Sequence, residues 1–228
     1  MLGIIGAMDV EVSSIKSLVE NKKCVKKAGC DFIVGTLNNA EVCVSQCSPG
    51  KVNAAICTQA MIDNFNIDKI INVGVACSLN DNVQIKNIVI ASDVCEYDID
   101  ITALGEQKGY INGLGVVKIP TDFNLSQKLI DCAKIVAPTH YGTIASGDTF
   151  IANNDLKQNI KNEFNAICGE MEGGAIGHVC MANNVPFAVL RSISDGGNAN
   201  AQIDYPTFKK IAATMSTAIL LDYIKLNY

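Results

Sequence analysis

One stretch constrains the fold more than any other. Ala166-Ile-Cys168-Gly-Glu-Met-Glu172 carries an apolar run into two carboxylates, Glu170 and Glu172, set around a methionine. A segment rich in small residues follows. Then comes Pro186-Phe-Ala-Val-Leu-Arg-Ser-Ile-Ser194, which reads as a buried strand with one charge near its end. Asp195-Gly196-Gly197 closes it. Strand, acidic turn, helix, strand, acidic turn is one crossover unit of a parallel sheet. Ligands of such sheets bind beyond the carboxyl ends of the strands, so Glu170, Glu172, Arg191 and Asp195 are expected to gather at one edge.

The rest of the chain repeats this alternation. Residues 2–6 read as a first buried strand, and Met8, Val12, Ile15, Leu18 and Val19 recur at helical spacing from a start near residues 7–9. Asp9 and Glu11 fall in the first turn, where the helix dipole favours an ionised carboxylate. On pattern alone they either complement the helix end or serve a site. Residues 32–37 and 41–46 alternate around Asn38-Asn39, a hairpin signal. The spacing predicts a helix over 52–65, a central strand over 69–75 running into Ala76-Cys77-Ser78, and a strand over 87–91 with Ser92-Asp93 at its end. From 97 to 118 the pattern dissolves into a glycine-rich loop, long enough to be functional or an interface element. Helices over 121–136, 155–163 and 205–224, and a short strand over 141–145 ending in Ser146-Gly-Asp-Thr-Phe-Ile151, complete the reading. The expectation is a single α/β domain, residues 1–228, with a central mixed, mostly parallel sheet flanked by helices on both faces.

With 49% hydrophobic and 18% charged residues, a chain of this length can bury a substantial core. Its formal charge of −5 argues against nucleic acid or an anionic membrane as the main partner. A small neutral or zwitterionic ligand is left open. No apolar run approaches the roughly 20 residues of a membrane span, and the N-terminal run lacks the basic flank and cleavage signal of an export sequence. The ten cysteines include no C-x-x-C pair, and His140 and His178 have no partner at metal-site spacing. No metal is therefore expected. The cysteines read as reduced core residues, which suits a cytoplasmic compartment.

The chemistry follows by elimination. Gly3-x-x-Gly6 lacks the middle glycine of a dinucleotide fingerprint, and neither a phosphate-cradling loop nor a G-x-S-x-G elbow is present. Carboxylates remain: Glu11, Asp93, Asp148, Glu170, Glu172 and Asp195, all at predicted strand ends or first helical turns. Carboxylates with an arginine suit cleavage of an acetal-like bond through a cationic sugar. One group activates water, another protonates the leaving group, and a third holds sugar hydroxyls. The same residues read equally well as helix caps and a scaffolding Arg–Glu pair.

Six motifs, in order, go further: Gly3-Ile-Ile-Gly-Ala-Met-Asp-Val-Glu11, Gly50-Lys-Val52, Ile71-Asn-Val-Gly74, Ser146-Gly-Asp-Thr-Phe-Ile151, Glu170-Met-Glu172 and Arg191-Ser-Ile-Ser-Asp195. With them the chain resembles the 5′-methylthioadenosine/S-adenosylhomocysteine nucleosidases of the nucleoside phosphorylase-like superfamily. The resemblance implies cofactor-free hydrolysis of the bond between adenine N9 and the ribose of a 5′-thio-substituted adenosine, and by extension of 5′-deoxyadenosine, in methionine salvage and removal of methyl-cycle by-products. It implies that Glu11 activates the water and that Asp195, with a raised pKa, is the acid at adenine N7. Glu172 would accept from the ribose hydroxyls, with Met171 under the sugar and Arg191 steadying the acids. Phe150 would stack on the purine and the Ile151 backbone would read its edge, with Ala76 and Ser194 in the same substrate site. Met8, Pro49 and Tyr205 would form the thioether pocket. Ile101 and Leu104 would reach across from the second subunit of a homodimer, which gives the 97–118 loop a purpose.

The chain departs from that family pattern in two places. Gly74-Val75-Ala76-Cys77-Ser78 stands where the family commonly has Gly-Ser-Ala-Gly-Gly, and Pro49 where an aliphatic residue is usual. Val75 thus removes a hydroxyl near the sugar, and Cys77 adds bulk where a glycine lets the purine approach backbone. Competing readings are a purine nucleoside phosphorylase, a futalosine-type or other nucleosidase, and a silent adenosine-ligand binder. An NAD-dependent oxidoreductase is disfavoured by the missing glycine fingerprint.

Overall fold

Leu2–Gly6, buried at every position, forms strand β1, and a strand covered on both faces needs parallel partners and helices above and below. It has both. In the computed structural model, which describes all of residues 1–228, β1 lies between β4 (Ala40–Gln46) and β5 (Lys69–Ser78), parallel to each. Helix α1 (Asp9–Leu18) leaves β1 directly. Beyond β4 the sheet continues through β3 (Cys30–Leu37) to an edge strand, β2 (Glu20–Lys27). The β3–β4 hairpin turns on Asn38 and Asn39, both at positive φ, as a two-residue turn between twisted strands requires. Strand β2 escaped the sequence reading because it has almost no apolar alternation. It is exposed nearly throughout, and its lysines blunt the edge against pairing with other chains.

The remaining elements are α2 (Lys51–Asn64), β6 (Ile88–Glu96), β7 (Lys118–Pro120), α3 (Phe123–Val136), β8 (Thr139–Ser146), α4 (Asn154–Phe164), β9 (Ala166–Glu170), α5 (Gly173–Ala182), β10 (Phe187–Asp195) and α6 (Ala201–Asn227). Helix α6 begins ahead of the expected residue 205 and carries Pro206 inside it. Strand β6 runs on past Ala91 through an irregularity to Glu96, so Asp93 is not a strand end. Segment 97–118 is not structureless: it holds a 3₁₀ turn at Thr102–Leu104 and a bridge between Ile111 and Val116.

The sheet order is β10-β6-β8-β9-β5-β1-β4-β3-β2, and β10 also pairs with β5. That extra pairing closes β10, β6, β8, β9 and β5 into a barrel, from which β1 to β4 extend as an arm. The sequence pattern predicts a parallel crossover from β9 to β10. Strand β5 instead lies between them, parallel to β10 and antiparallel to the end of β9. Local spacing cannot reveal this, because closure depends on strand tilt and stagger around the ring.

Helices cover both faces of the sheet. Ile5 points into a core shared with α2 and α5 (Met61, Ile176), whereas Leu2 and Ile4 point into another shared with α1, α3 and α6 (Ile15, Leu129, Tyr223). A smaller cluster under α4 joins Cys77, Leu79, Ile151, Ile160 and Phe164. Eight of the ten cysteines are buried free thiols. Cys24 on β2 is exposed and Cys30 half-buried. No helix is long and apolar enough to cross a membrane.

Helix α5 lies close on the sheet because Gly177 has no side chain. A Cβ there would sit 2.7 Å from the Phe187 ring and 2.8 Å from Val94. Gly177→Ala is expected to lose about 1–3 kcal/mol in urea unfolding by overpacking. Unchanged stability would show that α5 can move away freely.

Candidate active site

The turn from β1 into α1 places Glu11 in the first helical turn with its carboxylate folded back. Oε2 accepts from the backbone N–H groups of Ala7 and Met8, both at 2.8 Å, and Oε1 from the N–H of Val75 at 3.0 Å. Glu11 therefore caps its own helix and ties it to β5. The sequence reading expected the helix dipole to keep this group ionised. Glu11 is instead almost wholly buried, and burial pushes its pKa up, against the opposing pull of Arg191 and the three N–H donors.

Arg191, 1% exposed in the middle of β10, is the cation of the site. Its Nη2 donates to Asn72 Oδ1 at 2.6 Å and to Glu170 Oε2, and lies 3.6 Å from Glu172 Oε2. Nε has no partner. Glu170 is saturated: it also accepts from Ser146 Oγ and from the N–H groups of Glu172 (2.9 Å) and Gly173 (2.7 Å) at the start of α5. Glu172 accepts from the Gly50 N–H at 3.0 Å, and burial together with neighbouring Glu170 pushes it up to about 8. Gly74 is the space in which this assembles. A Cβ there would lie 2.2 Å from Arg191 Nη1 and 2.6 Å from Glu11 Oε1. The sequence reading gave neither Asn72 nor Gly74 a role. The available signal was an amide in an otherwise apolar strand, two residues before a glycine.

Asp195 ends β10, 2% exposed. Its Oδ2 accepts from Ser194 Oγ at 2.9 Å and its Oδ1 from the Gly197 N–H at 3.0 Å. Burial raises its pKa, as expected of a carboxyl that holds a proton.

These groups face one pocket. Met8, Glu11, Pro49, Ala76, Phe150, Ile151, Met171, Glu172, Ser194, Asp195 and Tyr205 all line it. Arg191 lies beneath the lining, and Ile101 and Leu104 lie outside it. Ala7, Thr149, Gly169 and Glu170 complete the wall together with Val75 and Cys77. Phe150 meets Tyr205 edge-to-face with ring centroids 5.5 Å apart, and the Tyr205 hydroxyl lies 3.0 Å from Met8 Sδ. The bulk of Cys77 is accommodated by glycines: a Cβ at Gly169 or Gly197 would come within 3.3 or 3.2 Å of its Sγ. No Lys, Arg or His lines the pocket, and no group of side chains is placed to hold a metal ion. Three buried carboxyls that hold protons more tightly than usual, one of them beside the arginine, and an aromatic wall give the pocket the groups that general acid–base chemistry on an uncharged ring ligand requires.

Comparison with known proteins places the whole chain in one family. The family model described as "Phosphorylase superfamily" matches residues 1–225. A 5′-methylthioadenosine/S-adenosylhomocysteine nucleosidase of Halalkalibacterium halodurans is 37% identical over 222 residues, covering 96% of each chain. Its namesake from Staphylococcus aureus is 38% identical over 223 residues, covering 95% of this chain and 96% of the relative. Among solved structures, the nucleosidase of Neisseria meningitidis in complex with methylthio-immucillin-A superposes with a TM-score of 0.95 at 28% identity, covering 99% and 98% of the two chains. A futalosine hydrolase of Helicobacter pylori superposes at 0.94 with 30% identity, covering 99% and 97%.

Removing the buried cation while leaving the carboxylates should be severe. Arg191→Met is expected to destabilise the fold by about 3–5 kcal/mol at neutral pH, since Glu170 would remain buried without its partner. Denaturant unfolding measures this, and a loss below about 1 kcal/mol would mean that water replaces the guanidinium.

Proposed function

The chain belongs to the phosphorylase superfamily and, within it, to the 5′-methylthioadenosine/S-adenosylhomocysteine nucleosidases, and we propose on that premise how its pocket works. The protein is an N-glycosidase that hydrolyses the bond between adenine and the sugar of 5′-methylthioadenosine and S-adenosylhomocysteine. One observation carries the assignment of roles: Glu11 and Asp195, both buried and both raised in pKa, line the same pocket as Glu172 and the Phe150 ring.

Asp195 is the acid. As the C1′–N9 bond lengthens, its electron pair moves onto the purine, and Asp195 delivers its proton to N7. Glu11 is the base: it takes a proton from the water whose oxygen bonds to C1′ of the cationic sugar. The cycle leaves Glu11 protonated and Asp195 ionised, and exchange with solvent resets both. Glu172 accepts from the ribose hydroxyls. The positive charge that grows on the sugar favours its ionised form. Phe150 covers the purine face, and Ile151, Ala76 and Ser194 border the base, with Met171 under the sugar. Met8, Pro49 and Tyr205 make an apolar wall suited to a thioether, and on the same ground to the methyl of 5′-deoxyadenosine; a polar 5′ substituent of the futalosine type fits it less well.

Hydrolysis is favoured over phosphorolysis because the lining has no cation, and Glu11 would repel phosphate from the side where the nucleophile must stand. A homodimer is the natural assembly. Leu104, 81% exposed on the 97–118 segment, is an apolar side chain without a use in its own subunit, and with Ile101 it is assigned to the partner's thioether pocket. A reducing cytoplasm is inferred from ten unpaired thiols.

Incubation with 5′-methylthioadenosine tests the reading. Adenine and free methylthioribose are expected at the same rate with and without phosphate. A sugar 1-phosphate would select a phosphorylase, and tight binding without turnover a silent binder. Asp195→Asn is expected to lower kcat by about 10²–10⁴-fold while KM moves by less than about tenfold. Equal losses in kcat and binding would remove Asp195 from the acid role. Glu11 works ionised, so the rate should fall as pH drops through its raised pKa, and Glu11→Gln should abolish that acidic limb together with most of the activity.

A further inference from the structure

Lys157 is the one buried lysine of the chain. It stands on α4, the helix that follows Phe150 and Ile151, and its side chain reaches the turn after β10. There Nζ donates to the backbone carbonyl of Gly196 at 2.9 Å. Its nearest anion is Asp81, 4.0 Å away and 85% exposed, so little of the loss of water around the ammonium is offset by ion pairing. The carbonyl must therefore matter to it.

The Gly196 carbonyl and the Gly197 N–H belong to one planar peptide and point in opposite directions. That N–H is the donor to Asp195 Oδ1. The bonds thus run in series, from the Lys157 ammonium to the Gly196 oxygen and from the Gly197 nitrogen to the Asp195 carboxyl. A cation at one end of a peptide polarises the donor at the other. The turn has little other freedom: Gly197 sits at φ +60°, and a Cβ on it would lie 3.0 Å from the Ser78 carbonyl oxygen and 3.2 Å from Cys77 Sγ.

We propose that Lys157 is a positioning residue for the acid: it holds the Gly196–Gly197 peptide in the orientation that donates to Asp195 and lends that bond positive charge. This deepens the functional reading above and rests on Asp195 acting as the acid. When Asp195 gives up its proton, the new carboxylate is held by a polarised N–H. Without Lys157 the proton would be held more tightly and delivered less readily. The other titratable groups near Asp195 are Asp204 and Tyr205 of α6 and Cys77 of β5. None of these is a cation. Burial pushes Asp195 up, and Lys157 pulls it back.

The test is the pH profile of adenine release from 5′-methylthioadenosine by the wild type, K157M, K157Q and K157R. Asp195 works protonated, so its deprotonation sets an alkaline limb. In K157M that limb should move up by about half to one pH unit, with kcat lowered several-fold and KM within about twofold. K157Q, which keeps a polar group in the buried position, should show the same shift and serves if K157M does not fold. K157R keeps the charge and should restore the wild-type limb. An unmoved limb in a folded, charge-free variant overturns the proposal, as does K157R behaving like K157M. A wild type that releases no adenine would instead sink the functional reading, so the two failures are distinguishable.

Discussion

The guanidinium of Arg191 is the interaction on which the rest of the structure depends. It is buried with Glu170 in contact, Glu172 within 3.6 Å and Glu11 sharing the space over Gly74. Such a group is not there for stability, because ion pairs taken out of water often contribute less than apolar residues of the same volume. What it provides is a reason for three carboxyls to stay together in a dry site. Asn72 fixes its orientation by accepting from Nη2 while donating to the Ile5 carbonyl, so the arginine is registered against β1 as well as β5.

One cation does not neutralise the cluster. Glu11, Glu172 and Asp195 all keep raised pKa values, and for each the first cause is burial. A carboxyl raised on folding binds its proton more tightly in the native state than in the unfolded chain. Stability from these groups is therefore fully present below the usual carboxylate range and falls as pH rises through the raised values, for Glu172 up to about 8. The fold sacrifices stability at neutral pH to keep three carboxyls buried around one pocket, the usual exchange where perturbed groups cluster.

Much of this was legible in the chain and some was not. The apolar periodicity of α1 and α3 and the apolar runs of the buried strands located these elements, because each buries one face or two. The acidic residues at the ends of β9 and β10 pointed to the site edge, because ligands of such sheets bind beyond the carboxyl ends of the strands. Strand β2 was invisible, since a charged edge strand pairs through its backbone and owes nothing to side-chain pattern. Barrel closure was hidden for a related reason, as no residue encodes it alone. Gly74 and Lys157 were missed differently. What matters about them is an absent Cβ and a reach of more than thirty residues to a backbone oxygen, and neither leaves a local motif.

Closure of the ring explains how residues from opposite ends of the chain come to share one pocket. Strand β5 is their common reference. Gly74 pairs with Arg191 in the ladder, Val75 donates its N–H to Glu11, and Cys77 pairs with Asp195. Glu11, Arg191 and Asp195 are thus placed by neighbouring positions of one strand, and largely through its backbone. That bears on the departure at Gly74-Val75-Ala76-Cys77-Ser78. A valine side chain does not alter the N–H that holds Glu11, and the register that places Asp195 is set by the ladder whatever side chain Cys77 carries. Only Gly74 must lack a side chain, because Arg191 and Glu11 occupy the space a Cβ would need, and Gly74, like Ala76, matches the family pattern. The substitutions at Val75 and Cys77 therefore act on the shape of the pocket and leave Glu11 and Asp195 where they are.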